Sequence, residues 1–227
     1  QARGIIYNAM PEMELANKVY DFTTTEQICM GIGMDTNICA DADAFRKAYR
    51  IQKPFLLYAG RKDAGKNVHT LLRYFAEYKQ RHGDSDLQLV LIGGGSIEIP
   101  ASVRDDVYDL GFVSRQDKYD AMAAAELLCQ PSHNESFSLV IMESWLCGRP
   151  VLVHSQCAVT RDFARRANGG LYFRNYFEFE GCVQYILTHP EQARTMGQNG
   201  GAFVRENFDW DVIVEKYRAF FAKLTEE

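Results

Sequence analysis

"ELLCQPSHNESFSLVIMESWLCGRPVLVHS", residues 126–155, holds two short, almost unbroken apolar runs, LLC and VLV, separated by a polar loop and an apolar stretch of helical length. Strands that are apolar at nearly every residue belong to a sheet covered on both faces, and parallel neighbours need a crossover such as a helix between them. Gly148, Arg149 and Pro150 stop that helix just before the second strand. The stretch reads as one β-α-β unit.

The same alternation continues on both sides. FLLYAG (55–60), LQLVLIGGG (87–95), VYDLGFV (107–113) and GGLYF (169–173) are strand-like, whereas NVHTLLRYFAEYKQRH (67–82), RQDKYDAMAAA (115–125) and VTRDFARRA (159–167) place apolar residues at helical spacing. This predicts an α/β domain with a doubly wound, mostly parallel sheet. Beyond residue 173 the pattern turns helical, and Asp209 is placed to cap a last helix over WDVIVEKYRAFFAKL (210–224). At the other end, GIIYNAM (4–10) reads as a strand and PEMELANKVYDF (11–22) as a helix opened by Pro11. TTTEQICMGIGMDTNICADADAF (23–45) is weakly patterned and reads as a linker. Gln1, not Met, opens the chain, and the expectation is that an upstream part belongs with it.

Composition narrows the function classes. The 227 residues are 47% hydrophobic and 24% charged, with a formal net charge of -5 and the two signs interleaved. That suits a sizeable core and argues against a nucleic-acid partner, which calls for a basic footprint. The six cysteines form no C-x-x-C pair, so buried reduced thiols in a cytoplasmic protein are expected. No run is long and apolar enough to span a bilayer, and no signal peptide is legible at the start.

Three motifs carry candidate chemistry. Residues 58–67, YAGRKDAGKN, contain G-x-x-x-x-G-K from Gly60 to Lys66, but Asn67 stands where a P-loop needs Ser or Thr for Mg²⁺. Arg61, Lys66 and a helix start can still hold a diphosphate; on this motif alone a solvated turn is the stronger reading. LIGGGS (91–96) has Glu98 in place of a dinucleotide fingerprint's third glycine, leaving either a ligand-approaching loop or a tight turn. In the opening stretch, Ser136 or Ser138 would cap a helix running to about Cys147, with Glu135 ahead of it and Glu143 within it. Ionised carboxylates accept paired hydroxyl donors, so Glu135 suits a sugar and Glu143 a ribose diol. The alternative is that Glu135 only complements the helix dipole while Glu143 pairs with a neighbouring cation.

Taken in order, GRKDAGKN, LVLIGGGS, DLGFVSRQDKYDAMAAAELLCQPSHNESFSLVIMESWLCGRPVLV and NGGLYF closely resemble the C-terminal, donor-binding domain of retaining GT-B glycosyltransferases of group 1, family 4, over about residues 50–225. The family's E-x7-E hallmark corresponds to Glu135 and Glu143. The resemblance implies a Rossmann-like C-terminal half of a GT-B fold. It implies that Gly60, Arg61 and Lys66 meet the donor diphosphate, that Glu135 holds the transferred sugar and that Glu143 binds the ribose. The backbone of Ser136, Phe137, Ser138, Leu139 and Val140 would meet sugar and phosphate, and Gly111, Phe112 and Val113 would lie beside the base. Ser136 and Ser138 depart from the glycines usual in the family, which leaves the donor sugar open.

By the same resemblance, residues 1–34 are the end of an N-terminal acceptor domain plus linker, 35–208 the donor domain and 209–227 a C-terminal helix. The implied activity is retaining hexosyl transfer from a UDP-, GDP- or ADP-sugar to a glycan or lipid-linked saccharide, with no cofactor, no integral membrane segment and room for peripheral membrane association. The leaving phosphate would take the acceptor's proton, so no side-chain nucleophile is needed. Two alternatives stay open: a binding module inactive without its N-terminal half, and a sugar-nucleotide epimerase or phosphorylase on the same architecture. No metal is expected, because the D-x-D triplets at Asp41, Asp84 and Asp209 fall in a linker, a loop and a helix cap. Asn134 heads a formal glycosylation sequon, unused in a cytoplasmic protein, and His133 and His154 flank the pocket.

Overall fold

A computed structural model describes residues 2–225. The chain opens with β1 (Gly4–Tyr7), α1 (Met10–Val19) and β2 (Glu26–Cys29), followed by α2 (Ala42–Tyr49). The main sheet is built from β3 (Phe55–Ala59), β4 (Gln88–Ile92), β5 (Val107–Gly111), β6 (Leu127–Gln130), β7 (Val151–His154) and β8 (Gly170–Phe173). Between them run α3 (Val68–Arg81), α4 (Arg115–Ala124), α5 (Leu139–Leu146) and α6 (Ala158–Ala167), and α7 (Tyr176–Thr188), α8 (Pro190–Phe208) and α9 (Trp210–Thr225) close the chain. No described helix is long and apolar enough to cross a membrane.

The six strands pair in parallel in the order β5-β4-β3-β6-β7-β8, the doubly wound arrangement the apolar runs predict. All five residues of β3 and all five of β4 are buried, because helices cover both faces. Alternate side chains feed two cores. Leu57, Val90, Leu128, Val151 and Val153 join one with helices α2, α4, α5, α6 and α8. Leu56, Tyr58, Leu89, Leu127 and Leu152 join the other with α3 and α7. In α3 the stripe Val68, Leu71, Leu72, Phe75 and Tyr78 is buried, as helical spacing requires.

The structure corrects the linker reading of residues 23–45. Glu26–Cys29 is a strand whose register with β1 runs from Gly4↔Glu26 to Tyr7↔Cys29. Four residues with no apolar period carry no strand signal of their own; their hydrogen bonds to β1 create it. The residues that follow are docked as well: the Met34 amide donates to the Phe208 carbonyl at 2.8 Å, and the Thr36 hydroxyl donates to Asp209. Asp41, placed in a linker by the sequence, caps α2 by accepting from the Asp43 and Ala44 amides. Asp209 accepts from the Asp211 amide at 3.1 Å at the start of α9, as expected, and the last two residues of the expected helix, 226 and 227, lie outside the described residues.

The cysteine expectation holds only in part. All six thiols are free, but only Cys129 and Cys157 are buried, while Cys39 is exposed in the irregular segment before α2. Cys147 is half-buried beside Glu143, and burial followed by that negative charge pushes its thiol up to about 12.

Helix α8 packs against α5 closely enough that Gly197 faces backbone: a Cβ there would lie 2.1 Å from the Gly148 carbonyl oxygen. Replacing a helical glycine by alanine gains about 1 kcal/mol of propensity, but overpacking against a carbonyl that cannot rotate away costs roughly 1–3 kcal/mol or more. Gly197→Ala is therefore expected to lower the urea midpoint. Gly181→Ala, in α7 where nothing lies within 4 Å of the new carbon, is expected to raise it.

Candidate functional site

The site follows from strand order. β3 pairs with β6 through Leu56↔Leu127 and Leu57↔Leu128, and the sheet reverses its winding between them. Chains leaving the carboxyl ends of two such strands go to opposite sides and leave a crevice where ligands of α/β proteins bind. The loop after β3 carries Gly60, Arg61 and Lys66, and the loop after β6 carries Glu135 and Ser136 into α5. The start of α5 divides the crevice into two clefts.

The first cleft, about 510 Å³, is lined by Gly60, Arg61, Phe112, Val113, Leu139, Val140 and Glu143, joined by Gly93, Gly94, Arg115 and Lys118. Glu143 sits one turn into α5, and its Oε1 accepts from Lys118 Nζ at 2.6 Å and from the Tyr119 hydroxyl at 3.4 Å. Burial, then the Glu143 charge, pushes the Tyr119 phenol up, so it stays protonated as a donor. Arg61 is largely exposed, with Nε 3.4 Å from Asp63. Phe112 is 87% exposed at the rim.

The second cleft, about 560 Å³, is lined by Lys66, His133, Asn134, Glu135, Ser136 and Gln156 together with Glu12 and Leu15 of α1. Glu135 Oε1 accepts from Lys66 Nζ at 2.7 Å and from Gln130 Nε2 at 3.2 Å. The Glu135 side chain is only 9% exposed, so it is a buried carboxylate held in an ion pair and not a solvated charge complementing a helix end. His133 faces this cleft and packs against His154, with ring centroids 4.2 Å apart and the planes tilted by 48°. His154 is buried and its Nδ1 accepts from the Gln156 amide at 3.2 Å; burial, then the neighbouring His133, pushes its pKa down and keeps it neutral.

Of the residues singled out in the sequence, Gly60, Arg61, Phe112, Val113, Leu139, Val140 and Glu143 come together in one cleft and Lys66, Glu135 and Ser136 in the other. Gly111 lies outside both linings; its carbonyl accepts from the Gly93 amide at 2.7 Å. The Phe137 side chain turns into the core, edge-on to Phe163 and Phe208, so only its backbone is available to a ligand. The cap expected from a serine hydroxyl is absent. Ser138 occupies the N-cap position with φ 71°, makes no side-chain cap, and leaves its Oγ buried without a partner. Side-chain capping needs an extended residue at that position, whereas Ser138 is held in the left-handed region that glycine adopts freely.

Three supporting residues were not legible in the sequence. Lys62, in a charge run that reads as solvated, has a side chain 1% exposed; its Nζ donates to the Gly93 carbonyl and pairs with Asp109 at 2.9 Å. Asn67, the residue that spoils the P-loop, donates to the Pro131 carbonyl at 3.0 Å and so ties the loop after β3 to the loop after β6. Lys118 lies on a helix of mixed polarity, with nothing in its local pattern to select it. Gly93 is required by close approach: at φ 120°, a Cβ there would lie 2.1 Å from the Gly60 carbonyl oxygen.

Residues 41–203 match the family described as Glycosyl transferases group 1. The chain belongs to that family. It is 35% identical over 186 residues to the D-inositol 3-phosphate glycosyltransferase of Saccharomonospora viridis, a match covering 74% of this chain and 43% of that protein. To the trehalose synthase of Rubrobacter xylanophilus it is 26% identical over 189 residues, covering 77% and 44%. Among solved structures, sucrose-phosphate synthase from Thermosynechococcus elongatus matches with a TM-score of 0.80 at 22% identity, over 100% of this chain and 59% of that one. Anabaena HepE in complex with UDP-glucose matches with a TM-score of 0.80 at 18% identity, over 98% and 64%. At those identities the likeness establishes the fold, which is the Rossmann-like C-terminal half of a GT-B glycosyltransferase. The chain spans less than half the length of both curated relatives.

Within this group 1 domain, the Lys62–Asp109 pair anchors the Arg61 loop to the end of β5. Removing Lys62 leaves the partly exposed Asp109 carboxylate and the Gly93 carbonyl without their donor, whereas replacing both side chains by apolar ones removes the unpaired charge. Lys62→Ala is expected to cost roughly 1–3 kcal/mol in urea unfolding, and the double variant Lys62→Met/Asp109→Leu to recover part of that loss.

Proposed function

We propose that this chain is the nucleotide-sugar-binding part of a retaining glycosyltransferase, whose substrate is a nucleoside diphosphate sugar and whose acceptor is a glycan or lipid-linked saccharide. The observation that carries this reading is the split arrangement of the two glutamates. One segment of chain sets Glu135 and Glu143 in adjoining clefts on either side of a helix start, at the switch point of the sheet. A nucleotide sugar has the matching layout, with sugar and nucleoside at opposite ends of a diphosphate.

In this reading Glu143 accepts from the ribose hydroxyls, Phe112 and Val113 border the base with Gly111 behind them, outside the lining, and the backbone from Ser136 to Val140 faces the diphosphate and sugar. Helix-start amides that lack intrahelical partners favour negative charge beside them, and the start of α5 at Leu139 and Val140 lines the first cleft. Lys66 has three donors and gives one to Glu135, leaving two for a phosphate. As the bond between sugar and diphosphate breaks, negative charge grows on the leaving phosphate, and Arg61, Lys66 and the α5 amides stabilise that charge selectively. The leaving phosphate then accepts the acceptor's proton while Glu135 orients the sugar, so no side chain acts as nucleophile. Glu12 and Leu15 of α1 line the sugar-side cleft, which supports assigning residues 1–34 to the end of an acceptor domain plus linker, 35–208 to the donor domain and 209–227 to a C-terminal helix. No metal has a role in this scheme; Asp41 and Asp209 serve as caps and Asp86 pairs with Lys53 at 2.7 Å.

Calorimetric titration with UDP, GDP and ADP is expected to give saturable binding of at least one. Glu143→Ala should weaken it roughly tenfold to a hundredfold, as for loss of hydrogen bonds to a charged group. Unchanged affinity would remove Glu143 from the nucleotide site. In the transferase containing this chain, Arg61→Ala and Lys66→Ala are each expected to lower kcat/KM by about a hundredfold or more, measured as transfer from the nucleotide sugar. Undiminished turnover in both would take them out of the mechanism.

A further inference from the structure

We propose that Lys118 is a positioning residue that aims Glu143 at the ribose diol and thereby sets the preference for ribose over 2′-deoxyribose nucleotides. This rests on the assignment of Glu143 to the ribose made above.

Among the described residues, every protein hydrogen bond to the Glu143 carboxylate falls on one oxygen. Lys118 Nζ donates to Oε1 at 2.6 Å and the Tyr119 hydroxyl to the same atom at 3.4 Å. The second oxygen is left for an incoming hydroxyl. The lysine is itself held in place. It begins the second turn of α4, where its amide donates to the Ser114 carbonyl at 3.0 Å. Ser114 caps that helix by accepting from the Asp117 amide at 3.0 Å. The ammonium also lies 4.9 Å from the centroid of the Tyr119 ring, within the range of a cation-π contact. The Glu143 and Lys118 side chains are 14% and 26% exposed, so the pair is sheltered enough to restrict both side chains yet still borders the cleft.

The pair offers a ribose two complementary functions. A carboxylate has about four lone-pair sites, of which the two protein donors use two, and an ammonium has three protons, of which Glu143 takes one. A vicinal diol can donate to the free carboxylate oxygen and accept from a remaining ammonium proton. Without Lys118, Glu143 keeps only the long contact from Tyr119, and its side chain regains rotamer freedom that ligand binding must remove again. That loss falls on ligands that use the 2′-hydroxyl and spares those that lack it.

The test is calorimetry on the full chain with UDP, GDP and ADP and with their 2′-deoxy counterparts, for the unsubstituted protein, Lys118→Met, Lys118→Arg and Glu143→Gln. The expected result is that Lys118→Met weakens the ribonucleotide about tenfold and the 2′-deoxynucleotide less than about twofold, so that discrimination collapses. Lys118→Arg, which keeps charge and donors, should restore most of it. Equal weakening of both forms would assign Lys118 to general cleft structure and overturn the proposal. Retained discrimination in Lys118→Met, with discrimination lost in Glu143→Gln, would overturn it while leaving the ribose assignment intact. An unsubstituted protein that binds both forms equally, or that binds none of the diphosphates, would overturn the assignment and the proposal together.

Discussion

The parallel pairing of β3 with β6 is the constraint on which the rest of the site depends. These strands are adjacent in the sheet but distant in the chain, joined through Leu56↔Leu127 and Leu57↔Leu128. Because the chain leaves one toward α3 and the other toward α5, their loops cannot close over each other, and a crevice opens above the strand ends. Burial holds this geometry, since the side chains of β3 feed cores on both faces of the sheet and a one-residue shift would exchange their positions.

Above that apolar platform the crevice is held in shape by polar contacts. Asn67 ties the loop after β3 to the loop after β6, and Lys62 ties it to the end of β5. Each glutamate of the E-x7-E segment sits on a lysine from another part of the chain, Glu135 on Lys66 and Glu143 on Lys118. Pairing lets a carboxylate stay largely out of water without losing its charge, and it orients the group before a ligand arrives. The alternative reading of Glu143 as a helix charge neutralised by a nearby cation describes a contact that does occur. The lysine and the glutamate both border the cleft, so the ion pair and a ligand-directed role are compatible.

Ser138, like Gln130 Oε1 and Ser132 Oγ nearby, departs from this pattern of paired groups. A serine in the left-handed region with an unpartnered hydroxyl contradicts both backbone preference and polar satisfaction. It persists because the segment between Glu135 and α5 must turn sharply: Phe137 is anchored in the core by Phe163 and Phe208, while Leu139 already lines the first cleft. Strain of this kind tends to gather at functional sites, and here it lies between the two proposed ligand-binding carboxylates.

The sequence alone determined the alternation of strands and helices, because consecutive apolar residues and helical spacing report directly on which faces are buried. It also pointed to the crevice proposed as the site, since glycines and a polar loop after buried strands mark the carboxyl edge of such a sheet, and the E-x7-E spacing places two acids around a helix start. The tertiary structure alone decided which groups meet. Lys62 and Asp109 are 47 residues apart, Lys66 and Glu135 69, and Lys118 and Glu143 25. No local period encodes such pairings, because they arise where separate strands and helices converge. The same holds for β2, which is a strand through its register with β1, and for Ser138, which follows a Phe137 anchored in the core and precedes a Leu139 that faces the cleft. Burial is written locally in the order of apolar and polar residues, whereas the choice of partner depends on distances that exist only once the sheet has closed its layers.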